Sequence, residues 1–255
     1  MSTTNQQTTT DADKKKGIKK SHSGLYFDRF RLLAIIILAV SIIRWSVASI
    51  CDVPTVAMEP TIKAGDRIFA WQLAYNFKVP FTNRVIATWG APRRGDIILF
   101  NLPKDTNINH VQRVGAVAGD EVALIDNVLY INGKAQQLTD FDDNRVILDE
   151  IEDDKDAKIL FRENLEGVDH WLMHNKPNTY RPASNYPAKG VTHRVPEGFA
   201  FVIGDNRDSS SDSRIWGDVP LEYVRGKAVF VVWSVFRPRG GGPWKFRADR
   251  FGQAL

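Results

Sequence analysis

A single cysteine, Cys51, stands among 255 residues, so an intramolecular disulfide and a cysteine-rich zinc site are both excluded. The compartment stays open on that ground, because disulfide-free proteins also live outside the cytosol. Histidine is scarce as well: there are five, none in a His-Glu-x-x-His pattern, and neither a metal nor a cofactor is expected. Long apolar stretches are nearly absent. The mean hydropathy of −0.27 excludes a polytopic membrane protein but leaves room for one membrane helix. Net charge is small, +4, and unevenly placed. Residues 1–31 carry seven basic side chains against three acidic ones, which is the whole excess. The other 27 basic and 27 acidic residues cancel, and a neutral body with a basic tail argues against nucleic acid as partner. What remains is an ordinary globular composition, 43% hydrophobic and 25% charged, able to bury a core.

The one apolar run lies near the start. Residues 1–28 are rich in Thr, Gln, Lys and Ser and read as a disordered basic tail. Residues 29–50 hold Leu32 to Ile43 without a charge, then Arg44 and a resumed run to Ile50, close to the ~20 residues a bilayer needs. Arg44 would cost about 2.5–3.5 kcal/mol at a helix centre, and less near an interface where its stem snorkels beside Trp45. The expectation is one transmembrane helix. The basic flank before it puts the N-terminus in the cytoplasm and residues 51–255 outside. A buried core helix and a cleaved signal peptide are the alternatives; the short uninterrupted apolar run keeps the first in view, and no small-x-small site directly follows it for the second.

The body reads as mainly β. Short apolar or alternating runs occur at Arg67–Ala70, Asp96–Phe100, His110–Val114, Glu121–Ile125, Val128–Ile131, Phe199–Ile203 and Lys227–Trp233. Asp126-Asn127 and Asn132-Gly133 sit where hairpin turns belong. Short helices are expected only near Phe69–Tyr75 and Asp149–Glu163. Residues 137–198 are polar, loop-rich and acidic at Asp149, Glu150, Glu152, Asp153, Asp154 and Asp156, which suits an inserted lobe with a solvated face.

Three segments carry the chemistry. The first is Val53-Pro54-Thr55-Val56-Ala57-Met58-Glu59-Pro60-Thr61-Ile62. The second is Arg94-Gly95-Asp96 with its strand, followed by His110-Val111-Gln112-Arg113-Val114 and Gly119-Asp120. The third is Gly204-Asp205-Asn206-Arg207-Asp208-Ser209-Ser210-Ser211-Asp212-Ser213-Arg214-Ile215-Trp216-Gly217-Asp218-Val219-Pro220. On its own terms the third is a tight turn after a strand, dense in hydroxyls, carboxylates and arginine, and a polar surface loop would look similar. Together and in this order, the three resemble the type I signal peptidase (leader peptidase) family, over about residues 30–250.

That resemblance implies an antiparallel β core with an inserted lobe, a membrane anchor, and secretory signal peptides on preproteins as substrate. It also implies a Ser/Lys dyad: a serine before the Met of the first segment, and a lysine before the Arg of the second. A neutral, desolvated lysine takes the serine proton. By the same resemblance Thr55 stands at the oxyanion hydroxyl position and Ser210 at the lysine-orienting position, with Asp212 and Arg214 as a rigidifying pair. Both dyad positions are substituted, to Ala57 and Gln112. Alanine has no nucleophile, and a Gln amide has no basic lone pair near neutral pH. Gly115-Ala116-Val117-Ala118 also departs from the family's Val-Gly-Leu-Pro.

The leading expectation is therefore an inactive signal peptidase homologue that keeps signal-peptide or secretion-partner binding at the plasma membrane, beside an active paralogue or the secretion machinery. An active peptidase using other residues, such as Thr55 with His110, is the second reading. A membrane assembly protein without peptide binding is the third. Natural and engineered loss of the dyad both stay open.

Overall fold

The computed structural model describes residues 22–79, 82, 84–140, 157–176, 186–187, 191–236 and 243–255, and their side chains except at 22–25, 42–45 and 140. The chain forms two compact units, residues 1–42 and 43–255. Helix α1 runs His22–Ser46. Its described side chains from Tyr26 to Ser41 are exposed, among them Phe27, Phe30, Leu32, Leu33, Ile35, Ile36, Ile37 and Leu38. Among the described residues no helix is long and apolar enough to cross a membrane.

The helix expected over 29–50 ends sooner than its apolar run. Ala48–Asp52 is strand β1, paired antiparallel with β2 (Asp66–Trp71), Cys51 opposite Ile68 and Ser49 opposite Ala70. Cys51, Ile68 and Ala70 are all buried in one core cluster. Pairing and burial outweigh the local helix reading of Val47 to Ile50, whose β-branched residues suit a strand equally well. Cys51 is accordingly a small apolar core residue on a strand rather than at a helix exit.

The remaining strands are β3 (Asn76–Lys78), β4 (Val85–Thr88), β5 (Ile97–Leu102), β6 (Asp105–Val117), β7 (Glu121–Ile125), β8 (Val128–Ile131), β9 (Lys134–Ala135), β10 (Gln137–Asp140), β11 (Lys158–Leu165), β12 (Val168–Asn175), β13 (His193–Arg194), β14 (Phe199–Ile203), β15 (Val219–Pro220), β16 (Val224–Phe236) and β17 (Lys245–Phe246). The main sheet orders them β1-β2-β16-β5-β6-β14-β15, with β17 on β16. Its ladders are antiparallel, so the body is mainly β as the sequence implies. Side chains alternate across a strand. On β5, Ile97 and Leu99 join the cluster of Cys51, Val53, Met58 and Ile62, whereas Ile98 and Phe100 join Val114, Ala200 and Val202. The sheet is thus packed on both faces at its middle, and the unbroken run Ile97–Phe100 records that.

Turns behave as their residues dictate. Asp126-Asn127 and Asn132-Gly133 all have positive φ and close the β7–β8 and β8–β9 hairpins, as their chemistry predicts. A third such turn, Glu166-Gly167, joins β11 to β12.

Two helical expectations are corrected. Phe69–Trp71 completes β2, and only Gln72–Ala74 turns, as a 3-10 helix. In the second stretch, residues 149–156 lie outside the described residues, as does the acidic patch, and Lys158–Glu163 belongs to β11. The lobe is also less loop-like than its composition implies, since β10, β11 and β12 form a three-stranded sheet. Its strands bury Lys158, Glu163, His170 and His174, so polar residues occupy positions where a sheet pattern normally shows apolar ones.

Candidate functional site

The first segment leaves β1 and turns sharply. Met58, 1% exposed, plugs into the core cluster under β2, and Ile62 N–H donates to Met58 O at 2.9 Å. That anchor presents Ala57 beside the loop after β14. Asn206 N–H donates to Ala57 O at 3.0 Å, and Asn206 Nδ2 donates to Val56 O at 3.1 Å. Thr55, two residues earlier, is exposed.

Gln112 approaches from β6, opposite Ile98. It is buried, and its Nε2 donates to Ser210 Oγ at 3.3 Å and to Ser211 O at 3.2 Å. The same hydroxyl stands 3.5 Å from Gln112 Oε1. Gly204 closes the arrangement. A Cβ there would collide with Ser210 Oγ and with Ala57 O, so only glycine lets the two approach one another. Ala57, Gln112 and Ser210, distant in sequence, therefore gather around one point.

The third segment holds its shape through Asp212. This carboxylate accepts from Gly204 N–H at 3.0 Å and from Arg214 Nε and Nη2 at 2.7 Å each. It also caps the short helical turn Ser213–Trp216. Arg214 Nη2 reaches on to Arg207 O at 2.6 Å. The Asp212–Arg214 pair expected from the sequence is thus formed, bidentate and nearly buried.

Behind Gln112 lies a charge cluster that the sequence did not disclose. Arg113 points to the opposite side of β6 and pairs bidentately with Asp205, at 2.8 and 2.7 Å. Thr61 Oγ1 donates to Asp205 at 2.6 Å. Burial alone would raise the Asp205 carboxyl, but the Arg113 guanidinium holds it below the usual carboxylate range. Next in line, Arg207 Nη2 meets Glu163 Oε2 at 2.5 Å, and His170 Nε2 lies 3.1 Å from the same oxygen. Burial would likewise raise Glu163, yet Arg207 and His170 hold it at about 2. Glu163 and His170 come from the lobe strands β11 and β12, which carried no sequence signal for such a role.

His170 and His174 stand four apart, but on strand β12, where that spacing is about 13 Å, too far to share an ion. Among the described residues no group of His, Cys, Asp and Glu could hold a metal. His110 is stacked on Phe100 at 5.6 Å, and burial lowers its pKa. No hydrogen bond joins it to Thr55 among the described residues. Trp216 packs on the same Phe100, Trp233 lies under Arg67 at 4.9 Å, and Trp244 is exposed. In the C-terminal segment Arg250 is buried against Asp66 and Arg247 stacks on Phe236, which makes these two arginines structural.

The site is thus a rigid frame with hydrogen-bonding capacity. At its two central positions it holds a methyl group and a neutral amide. Comparisons with known proteins bear on what such a frame is for. The family model described as signal peptidase, peptidase S26, matches residues 27–233. "Signal peptidase I" of Aquifex aeolicus is 33% identical over 225 residues, covering 79% of this chain and 82% of its own length. "Signal peptidase I" of Rickettsia typhi is 33% identical, covering 80% and 79%. A third relative of that name, from Buchnera aphidicola of Baizongia pistaciae, is 29% identical, covering 85% and 80%.

Proposed function

Because this chain belongs to the signal peptidase family, peptidase S26, we propose that it is a signal peptidase I homologue whose peptide groove is kept and whose hydrolytic chemistry is lost. The observation that carries this is the pairing of the Gln112 amide with Ser210 beside Ala57. Peptide hydrolysis by a Ser/Lys dyad needs a hydroxyl to attack and an amine to take its proton. Here the Ala57 side chain offers no oxygen, and the Gln112 nitrogen is already a donor. Thr55, Ser210, Asp212 and Arg214 are kept as the oxyanion and supporting set.

The ligand on this reading is the extended end of a secretory signal peptide. It binds by strand-edge pairing of its backbone beside Ala57, with pockets for small side chains. Without an attacking group the peptide is held, not cut. Such a protein would act as a receptor or partner for preproteins beside an active peptidase. We place α1 in the lipid bilayer with the basic tail in the cytoplasm and the β body on the outer face. Supporting this are the exposed apolar side chains of Tyr26–Ser41 and the basic excess before them.

The test uses purified full-length protein with a preprotein carrying a photo-crosslinker near its cleavage site. The expected result is a crosslink beside Ala57 with the preprotein left intact. Turnover above background that disappears in Thr55→Ala would instead support the reading in which other residues do the chemistry. Intact preprotein without any crosslink would favour an assembly role without peptide binding.

A further inference from the structure

The lobe sends a buried amine into the site. Lys158 opens β11 and is 2% exposed, yet its Nζ donates to Asn206 Oδ1 at 2.9 Å and to Ser209 Oγ at 2.9 Å. Asn206 is fully buried and is the residue that grips both Val56 O and Ala57 O. We propose that Lys158 is a positioning residue for the peptide groove. By donating to the Asn206 carboxamide it fixes which end of that amide faces Val56, and so holds the 56–57 backbone in register for an extended peptide.

A carboxamide has an accepting end and a donating end, and a lysine ammonium only donates. With Nζ against Oδ1, the NH2 end must face the other way, onto Val56 O. A flipped amide would set Oδ1 against Val56 O, oxygen against oxygen, and would point its donors at a cation. Lys158 thus removes a two-fold ambiguity that shape alone would leave.

The backbone of Asn206 is fixed independently. β12 brackets it, with Met173 N–H donating to Asp205 O at 2.8 Å and Arg207 N–H donating to Met173 O at 3.0 Å. Ser209 N–H donates to Asn206 O at 3.0 Å and closes the turn. β11 therefore sets the side chain, and β12 sets the main chain. Burying an ammonium is costly unless it is well bonded. The role is consistent with that cost being tolerated here.

For its consequence this inference rests on the peptide-binding reading, but its geometry does not. The test takes the full-length protein in detergent micelles, with two variants. Lys158→Met keeps the stem and removes the donor. Asn206→Asp keeps an acceptor for Lys158 and removes the donor to Val56 O. Three quantities are read: the carbonyl 13C shift of Val56, the exchange rate of the Asn206 amide, and the dissociation constant of a synthetic signal peptide.

Both variants should move the Val56 shift. Lys158→Met should speed exchange of the Asn206 side-chain amide by about tenfold, the worth of one charge-assisted hydrogen bond. Exchange at Leu124, on the separate β7–β8 sheet, should stay as in the wild type and so report an intact fold. Should Lys158→Met not fold, the Val56 shift in Asn206→Asp still decides whether the amide grips that carbonyl. An unmoved Val56 shift in both variants overturns the clamp. A wild type that binds the peptide, with Lys158→Met about tenfold weaker, supports its role in the groove. Equal affinities overturn that role. A wild type that binds no peptide sinks the peptide-binding reading, while the Val56 shift still settles the clamp.

Discussion

Gln112 Nε2 and Ser210 Oγ lie 3.3 Å apart, joining β6 to the loop after β14 at the point where the family resemblance places a lysine and its orienting serine. On the proposed reading Ser210 keeps its place although a glutamine stands where its lysine partner would. Gln112 now ties the loop down, with Ser211 O as its second acceptor at 3.2 Å. Ser210→Ala should therefore lower stability by about 1 kcal/mol, because the buried amide loses one of two partners. Urea unfolding checks this, and a midpoint equal to the wild type would mean the contact contributes nothing.

Arg113 and Asp205 should be far less forgiving. Both side chains are buried, at 4% and 0% exposure. Removing one partner of a buried pair typically costs about 3–5 kcal/mol, since the other charge is left uncompensated. Asp205→Ala is expected to lose that much in urea or thermal unfolding, with Thr61→Ala losing much less. Equal, small losses would show that solvent reaches the pair.

Acid should weaken the lobe. Glu163 is held at about 2 in the folded protein against an ordinary value of about 4.3. A carboxyl whose folded pKa is depressed contributes stability that is complete above its unfolded value. That contribution is lost as the pH falls through the folded value. The window is therefore from above about pH 4.3 down to about pH 2. Stability measured across it should fall in the wild type, and fall less steeply in Glu163→Gln. Identical slopes would remove Glu163 from the acid response.

Gly204 offers a steric test. Its φ is ordinary, so the constraint is space alone, between Ser210 Oγ and Ala57 O. Gly204→Ala should cost about 1–3 kcal/mol, as overpacking does, and should weaken signal-peptide binding by pushing the two apart. Thermal unfolding and a binding isotherm read the two effects separately.

The sequence exposed some of this and hid the rest for physical reasons. The main-sheet strands were legible because Ile97–Phe100 and Phe199–Ile203 are buried on both faces and read as unbroken apolar runs. The turns at Asp126-Asn127 and Asn132-Gly133 were legible because those residues tolerate positive φ. Glu166-Gly167 makes the same kind of turn, but glutamate does not announce it. β11 and β12 were missed because their buried positions include Lys158, Glu163, His170 and His174, which composition assigns to a solvated surface. The helix end at Ser46 was missed because Val47–Ile50 is equally apolar as helix or strand, and only its partner β2 decides. Ala57, Gln112, Ser210, Asp212 and Arg214 were singled out through their motifs, and the structure places them near one another. Lys158 and Asn206 act through contacts between segments 48 residues apart, which no local pattern encodes.

The most direct measurement is the rate at which a signal-peptide-bearing preprotein is processed, taken side by side for the wild type and for Ala57→Ser with Gln112→Lys. If the frame is intact and only the two reacting groups are missing, the wild type stays at background and the double variant cleaves. Each single variant should remain silent, since nucleophile and base act as a unit. Cleavage by the wild type at a rate that the double substitution leaves unchanged would contradict the account.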